Sequence, residues 1–247
     1  MLPKNEIILL YADEYLLVVN KPAGLRVIPD GYHRDLPNLY HLLMDKFGKL
    51  WVVHRLDRET SGAILFARNA DTHRHLNQQF QNRLIKKTYH LLAMGDQITE
   101  PLKITYPLRV NGDRAHRTVI DFQKGKPAST FVNQVKSLQK DILILEAEPK
   151  TGYTHQIRAH LAAAGYWLLN DPLYFPYNHP PGHADSHPHL PPNYRHIGQS
   201  LPIRRIALHS WKIEFFHPVL QRTLQIIAPY PDDFECTITQ LQNEGGS

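Results

Sequence analysis

Two hydrophobic periods alternate along the chain. Short apolar runs at 7–11 and 16–20, parted by Asp13-Glu14, predict two strands around a turn, and Lys21-Pro22-Ala23-Gly24 ends the second. Over 35–47 the spacing of Leu39, Leu42, Leu43 and Phe47 predicts a helix, with Asp35 as cap, Pro37 in the first turn and Gly48 as stop. Runs at 51–53 and 63–67 predict two more strands. Asp71 is placed to cap a helix reaching Arg83 that rests on Leu76 and Phe80. A strand over 86–94 follows. Between 95 and 148 the pattern predicts hairpins, with strands at 116–122, 128–138 and 141–148 and turns at Asn111-Gly112-Asp113 and Lys124-Gly125-Lys126-Pro127. Thr154 as N-cap and Gly165 as stop delimit a helix whose packing stripe is Ile157, Leu161 and Ala164. Strands at 204–209, 211–216 and 222–228 and a closing helix over 231–243 complete the reading. No boundary parts two cores, so one α+β domain is expected over residues 1–247, its sheet largely antiparallel.

One turn carries far more than turn chemistry. Between the strands at 51–53 and 63–67 lie His54-Arg55-Leu56-Asp57-Arg58-Glu59-Thr60-Ser61-Gly62, five ionisable side chains where a turn needs only backbone freedom. Such density between buried strands predicts a polar site with tuned charges. Later, His155 and Arg158 stand three apart on a helix face distinct from the packing stripe.

Charge and cysteine count narrow the classes. Lys plus Arg number 28 against 23 acids, a net charge of +5 that favours a polyanionic partner without requiring one. The single cysteine, Cys236, excludes an internal disulfide framework and a four-cysteine metal site, so a reducing compartment, the cytoplasm, is expected. No early apolar run suits a signal peptide and none approaches the roughly 20 residues of a membrane span. No glycine-rich nucleotide loop, thiol pair or dense carboxylate cluster is present, which argues against phosphoryl and hydride transfer and leaves cofactor-free chemistry. From 171 to 202 the composition shifts to Pro, His, Asn, Gly and Tyr, predicting an extended insertion. His183, His187 and His189 within it suggest a metal site, but ligands need regular elements and supporting partners, so a polar loop is the expectation and no metal is assigned.

His54-Arg55-Leu56-Asp57 with Thr60-Ser61-Gly62 resembles the signature of the RluA-type RNA pseudouridine synthases. Three further stretches agree in that family's order: Asn20-Lys21-Pro22-Ala23-Gly24, Lys86-Lys87-Thr88-Tyr89, and Thr151-Gly152-Tyr153-Thr154-His155-Gln156-Ile157-Arg158-Ala159-His160-Leu161. The resemblance implies a central mixed, largely antiparallel sheet flanked by helices, with a basic cleft across it. It also implies action on ribosomal or transfer RNA; no cofactor is expected, and the expected state is a monomer, which no motif fixes. Asp57 would initiate the reaction as nucleophile or base, Arg158 would pair with it, and Tyr89 would stack on the target base. Arg55 would fill the space left by a flipped uridine, Leu161 would line the base pocket, and Arg58, Lys86, Lys87 and His155 would meet the RNA. Tyr153 departs from the pattern, which usually has arginine there, and one phosphate contact is put in doubt. The motifs begin almost at once, so no N-terminal S4 domain is expected.

Two rivals share these residues. A non-catalytic RNA-binding protein would use the same basic cleft. A glycosidase would use Asp57 and Glu59, although nothing resembling a sugar-binding aromatic platform accompanies them.

Overall fold

The apolar runs become strands almost where the pattern puts them. A computed structural model describes residues 7–31, 33, 35–139, 141–175 and 200–244. The chain divides into two compact units, Met1–Thr88 with His209–Tyr230, and Tyr89–Leu208 with Pro231–Ser247.

In the first unit, β1 (Ile8–Ala12) pairs antiparallel with β2 (Leu16–Lys21), and β2 pairs antiparallel with β4 (Ser61–Ala67). Along its other edge β4 meets β3 (Trp51–Val52) near its end and β12 (Leu208–His217) near its start. The β4–β12 contact is parallel and makes the sheet mixed; β13 (Arg222–Ile227) closes it as an antiparallel hairpin on β12. Every residue of β4 is buried, as its continuous apolar run requires of a central strand. Helix α2 (Ala70–Gln81) brings Leu76 and Phe80 onto a core of Leu16, Val18, Leu65, Ile213 and Phe215. Helix α1 (Leu39–Phe47) buries Leu39 and Leu43.

Gly62 is the residue this sheet cannot replace. Its φ of +115° is left-handed, and a Cβ there would stand 2.2 Å from the backbone oxygen of Ser210 on the parallel partner strand. Backbone, unlike a flexible side-chain end, cannot give way cheaply. Gly62→Ala is expected to lower stability by at least about 2 kcal/mol, seen as a lower urea midpoint at unchanged slope.

In the second unit, which takes β5 (Lys86–Met94) from Tyr89 on, β5, β10 (Ile142–Pro149), β9 (Thr130–Gln139) and β6 (Leu102–Ile104) follow one another, each pair antiparallel, and β11 (Trp167–Leu168) adds to β5. The segment of β5 that pairs with β10 begins at Tyr89. Helix α3 (Gln156–Ala163) and helix α4 (Asp232–Glu244) belong to this unit, as does the hairpin of β7 (Leu108–Arg109) and β8 (Val119–Ile120).

Caps and short strands differ from expectation. Asn69 caps α2 in place of Asp71, and Asn38 caps α1 in place of Asp35, because their amide oxygens accept the Thr72 and His41 N–H groups at 2.8 and 3.0 Å. Helix α3 starts after His155, whose backbone is left-handed (φ 56°), not after Thr154. No side chain caps it; Gln156 instead reaches back and ties down the approach to the helix, its Oε1 accepting from Thr151 Oγ1 and Tyr153 N. The strand expected at 116–122 shrinks to two residues because the Asp113 carboxylate winds 113–117 into a turn, accepting the Ala115 and Arg117 N–H groups. The two strands read at 204–209 and 211–216 are replaced by one, β12, and Arg205 instead pairs with Asp233. Of the insertion, residues 176–199, including all five of its histidines, lie outside the described residues.

Candidate active site

The turn bearing Asp57 is anchored at both flanks. On the near side, His54 Nε2 accepts the Leu65 N–H at 3.0 Å and its ring lies 4.9 Å from Phe80. An imidazole that accepts there must be neutral at that nitrogen. Burial, reinforced by the Lys87 charge, holds its pKa down to about 3. On the far side, Ser61 Oγ lies 2.9 Å from His209 Nδ1, whose Nε2 reaches the Ala228 carbonyl, all buried. Between them Leu56 is buried, Thr60 N–H donates to the Asp57 carbonyl at 3.2 Å, and Asp57 itself is half-buried.

The His54 shift has a sign that stability measurements can read. Its folded pKa lies below the usual 6.5, so in the window from pH 6.5 down to about 3 the unfolded chain binds the extra proton. The stability it confers is present above pH 6.5 and is lost as pH falls through that window, by on the order of 1 kcal/mol per unit. His54→Gln, which keeps an acceptor for Leu65, should flatten the pH dependence of urea unfolding between pH 7 and 5; an unchanged slope would contradict this.

Lys21 is a second anchor. It is 0% exposed, and its ammonium donates to the carbonyls of Pro22, Leu25 and Arg58 at 2.8, 2.8 and 2.9 Å. A buried lysine normally sheds its proton or finds partners, and this one fastens the 21–25 loop to the Asp57 turn. The backbone of Gly24, at φ +80°, completes the joint: its N–H donates to the Arg58 carbonyl, and its carbonyl accepts from Arg58 Nε at 3.1 Å. Arg55 and Arg58 are exposed, and Arg58 also meets Glu59 at 3.3 Å. Lys86 pairs with Glu214 at 2.8 Å, while burial pushes Lys87 down to about 8.

In the second unit Arg158 is not on the surface. It and Asp171 are 4% and 0% exposed and form a fork, Nε to Oδ2 and Nη2 to Oδ1, both at 2.7 Å. Asp171 Oδ1 also accepts the Leu173 and Tyr174 N–H groups. The Tyr174 ring lies 5.0 Å from the Arg158 guanidinium. Its hydroxyl accepts the Thr118 N–H and donates to the Thr118 carbonyl, and burial pushes its pKa up to about 12, keeping it a donor. Because the fork uses Nε and Nη2, the remaining nitrogen, Nη1, is aimed away from Asp171 in a fixed direction. His155 packs edge-on to Tyr174, Tyr89 is buried on β5, and Leu161 is fully buried on α3. Asp57, Arg55, Arg58, Lys86 and Lys87 thus stand on the first unit, and Tyr89, His155, Arg158 and Leu161 on the second.

Asp171, Lys21 and the Ser61–His209 pair are contributions the sequence reading missed. The signal for Asp171 is a carboxylate two residues after the apolar run 167–169, at the point where the insertion is expected to begin.

A family model of RNA pseudouridylate synthases matches residues 15–163. The chain belongs to the RluA-type RNA pseudouridine synthases, a family of isomerases. It is 35% identical over 238 residues to an uncharacterised RNA pseudouridine synthase, YhcT, of Bacillus subtilis, covering 94% of this chain and 71% of that one. To the dual-specificity RNA pseudouridine synthase RluA of Pasteurella multocida it is 31% identical, over 90% of this chain and 92% of the relative. Among solved structures, human RNA pseudouridylate synthase domain containing 4 shares the fold, with a TM-score of 0.71 at 22% identity, covering 95% and 93% of the two chains.

Proposed function

We propose that this pseudouridine synthase isomerises specific uridines of ribosomal RNA, transfer RNA or both, through Asp57 and a uridine turned out of its stack. The observation that carries the reading is the anchoring of the Asp57 turn on both flanks, by His54, Lys21 and the Ser61–His209 pair, which holds the backbone that presents this carboxylate. A preoriented group costs no reorganisation when the substrate arrives.

In the reaction the C1′–N1 bond breaks, the base turns, C1′ bonds to C5, the C5 proton leaves and N1 gains one. Asp57 initiates it, as nucleophile at the sugar or as base. Arg158, aimed by Asp171, is the cationic partner of Asp57; Tyr89 stacks on the turned base and assists loss of the C5 proton; Leu161 lines the base pocket. A base inside a stack is out of reach of a carboxylate, so Arg55 fills the vacated space. Arg58, Lys86, Lys87 and His155 meet the RNA backbone. The chemistry calls for no cofactor. The reading extends to a monomer working in the cytoplasm; no described helix is long and apolar enough to cross a membrane.

The test is nucleoside analysis of transfer and ribosomal RNA transcripts after incubation. A uridine converted to an isomer of unchanged mass is the expected result. Free uracil or an abasic ribose would identify a glycosidase instead, and tight binding with no new nucleoside would identify a binding protein.

A further inference from the structure

The β7–β8 hairpin and the turn after it present an aromatic side chain to solvent in a way the reaction does not explain. Phe122 is 77% exposed, and Tyr106, 37% exposed, meets it edge-on at 6.2 Å. The turn that carries Phe122 is rigidly built. Asp121 Oδ1 accepts the Gln123 and Lys124 N–H groups at 3.0 and 2.9 Å, its Oδ2 accepts from Arg109 Nε at 2.6 Å, and its backbone carbonyl accepts the Gly125 N–H. Leu108 and Lys126 close the base of the turn with two backbone hydrogen bonds. Tyr106 is fixed in turn, its carbonyl 2.9 Å from Nε2 of the buried His160.

The surroundings are basic. Residues 106–127 hold five cations, Arg109, Arg114, Arg117, Lys124 and Lys126, against two carboxylates. Both carboxylates are engaged at home, Asp121 with Arg109 and Asp113 with Arg117. A positive excess therefore surrounds an aromatic face held open to water. An aromatic tip of this kind is far smaller than the roughly 800 Å² per partner of a stable protein interface. It does match one nucleobase, whose π-face stacks on an aromatic ring while its phosphates meet lysine and arginine.

We propose that Phe122, steadied by Tyr106, is a stacking platform for an unpaired base of the RNA substrate other than the target uridine, with Arg114, Lys124 and Lys126 contacting the phosphates beside it. This rests on the reading of the chain as an enzyme acting on RNA, and it assigns the hairpin a part in choosing which RNA is held.

The test compares wild type, Phe122→Ala, Phe122→Leu and Phe122→Trp on the same transfer and ribosomal RNA transcripts, by filter binding and steady-state kinetics. Phe122 is exposed, so none of these changes threatens the fold. The alanine and leucine variants are expected to raise Kd and KM about tenfold with kcat unchanged, and tryptophan to restore both. Wild-type affinity in Phe122→Ala, or full affinity in Phe122→Leu, would overturn the platform. So would sedimentation showing a dimer that Phe122→Ala dissolves, since the face would then belong to a second copy. Failure of the uridine-isomerisation reading looks different: wild type would bind the transcripts and convert none, while the affinity comparison still decided the role of Phe122. A wild-type chain that binds none of these RNAs would overturn the platform as well.

Discussion

Asp57→Ala is expected to lower kcat by at least about 1,000-fold while RNA affinity stays close to that of wild type. The first half follows from chemistry: no neighbouring group in the 54–62 turn reproduces an anchored carboxylate, since Glu59 lies two residues on and meets Arg58. The second half follows from how the turn is held. The His54 ring, the Lys21 ammonium, backbone hydrogen bonds at Arg58 and Thr60, and the Ser61–His209 pair beyond all stay in place in this variant. The arginines expected to meet RNA stand on either side of Asp57 and are unaltered. Single-turnover rates and filter binding on one transcript measure both halves, and Asp57→Asn separates charge from shape. A variant with wild-type turnover would remove Asp57 from the chemistry.

Asp171→Ala is expected to cost about 3–5 kcal/mol of stability and most of the turnover. Truncation would strip a buried guanidinium of two hydrogen bonds of 2.7 Å, and the Leu173 and Tyr174 N–H groups of their acceptor. A fork built this way stabilises little against an apolar alternative but is expensive to break from one side. The double variant Arg158→Met with Asp171→Leu should therefore recover much of the lost stability and none of the activity. Asp171→Glu, which keeps the charge and shifts the fork, should lose more in kcat than in KM. Urea unfolding and turnover on the same preparations separate the two roles. If Asp171→Ala unfolds like wild type, the fork is not the buried ion pair described here.

The sheet was legible because its strands are continuous apolar runs, and burial alone explains them: the 63–67 run extends by two residues into β4, and 86–94 is β5. Family membership was legible in four motifs in order. Helix starts were less so, since Asp35, Asp71 and Thr154 are all good caps in isolation. Asn38 and Asn69 won the first two because their amides sit where the first-turn N–H groups point, while α3 starts after the left-handed His155 with no side-chain cap. What the pattern hid were polar groups whose partners are distant in sequence. Lys21 reads as a loop residue until the Arg58 carbonyl, 37 residues on, is brought to it. Arg158 reads only as a cation off the packing stripe of its helix until Asp171 forms a buried fork with it. Gly62 reads as an ordinary turn glycine, and only the arrival of Ser210 from the far end of the chain makes it irreplaceable.

The most direct test of the central claim is tritium release from transfer and ribosomal RNA transcripts labelled at uridine C5, with wild type and Asp57→Ala measured side by side. Uridine isomerisation through Asp57 predicts release by the wild type that disappears in the variant. Equal release by both, or none from any transcript by a wild type that binds them tightly, would contradict it.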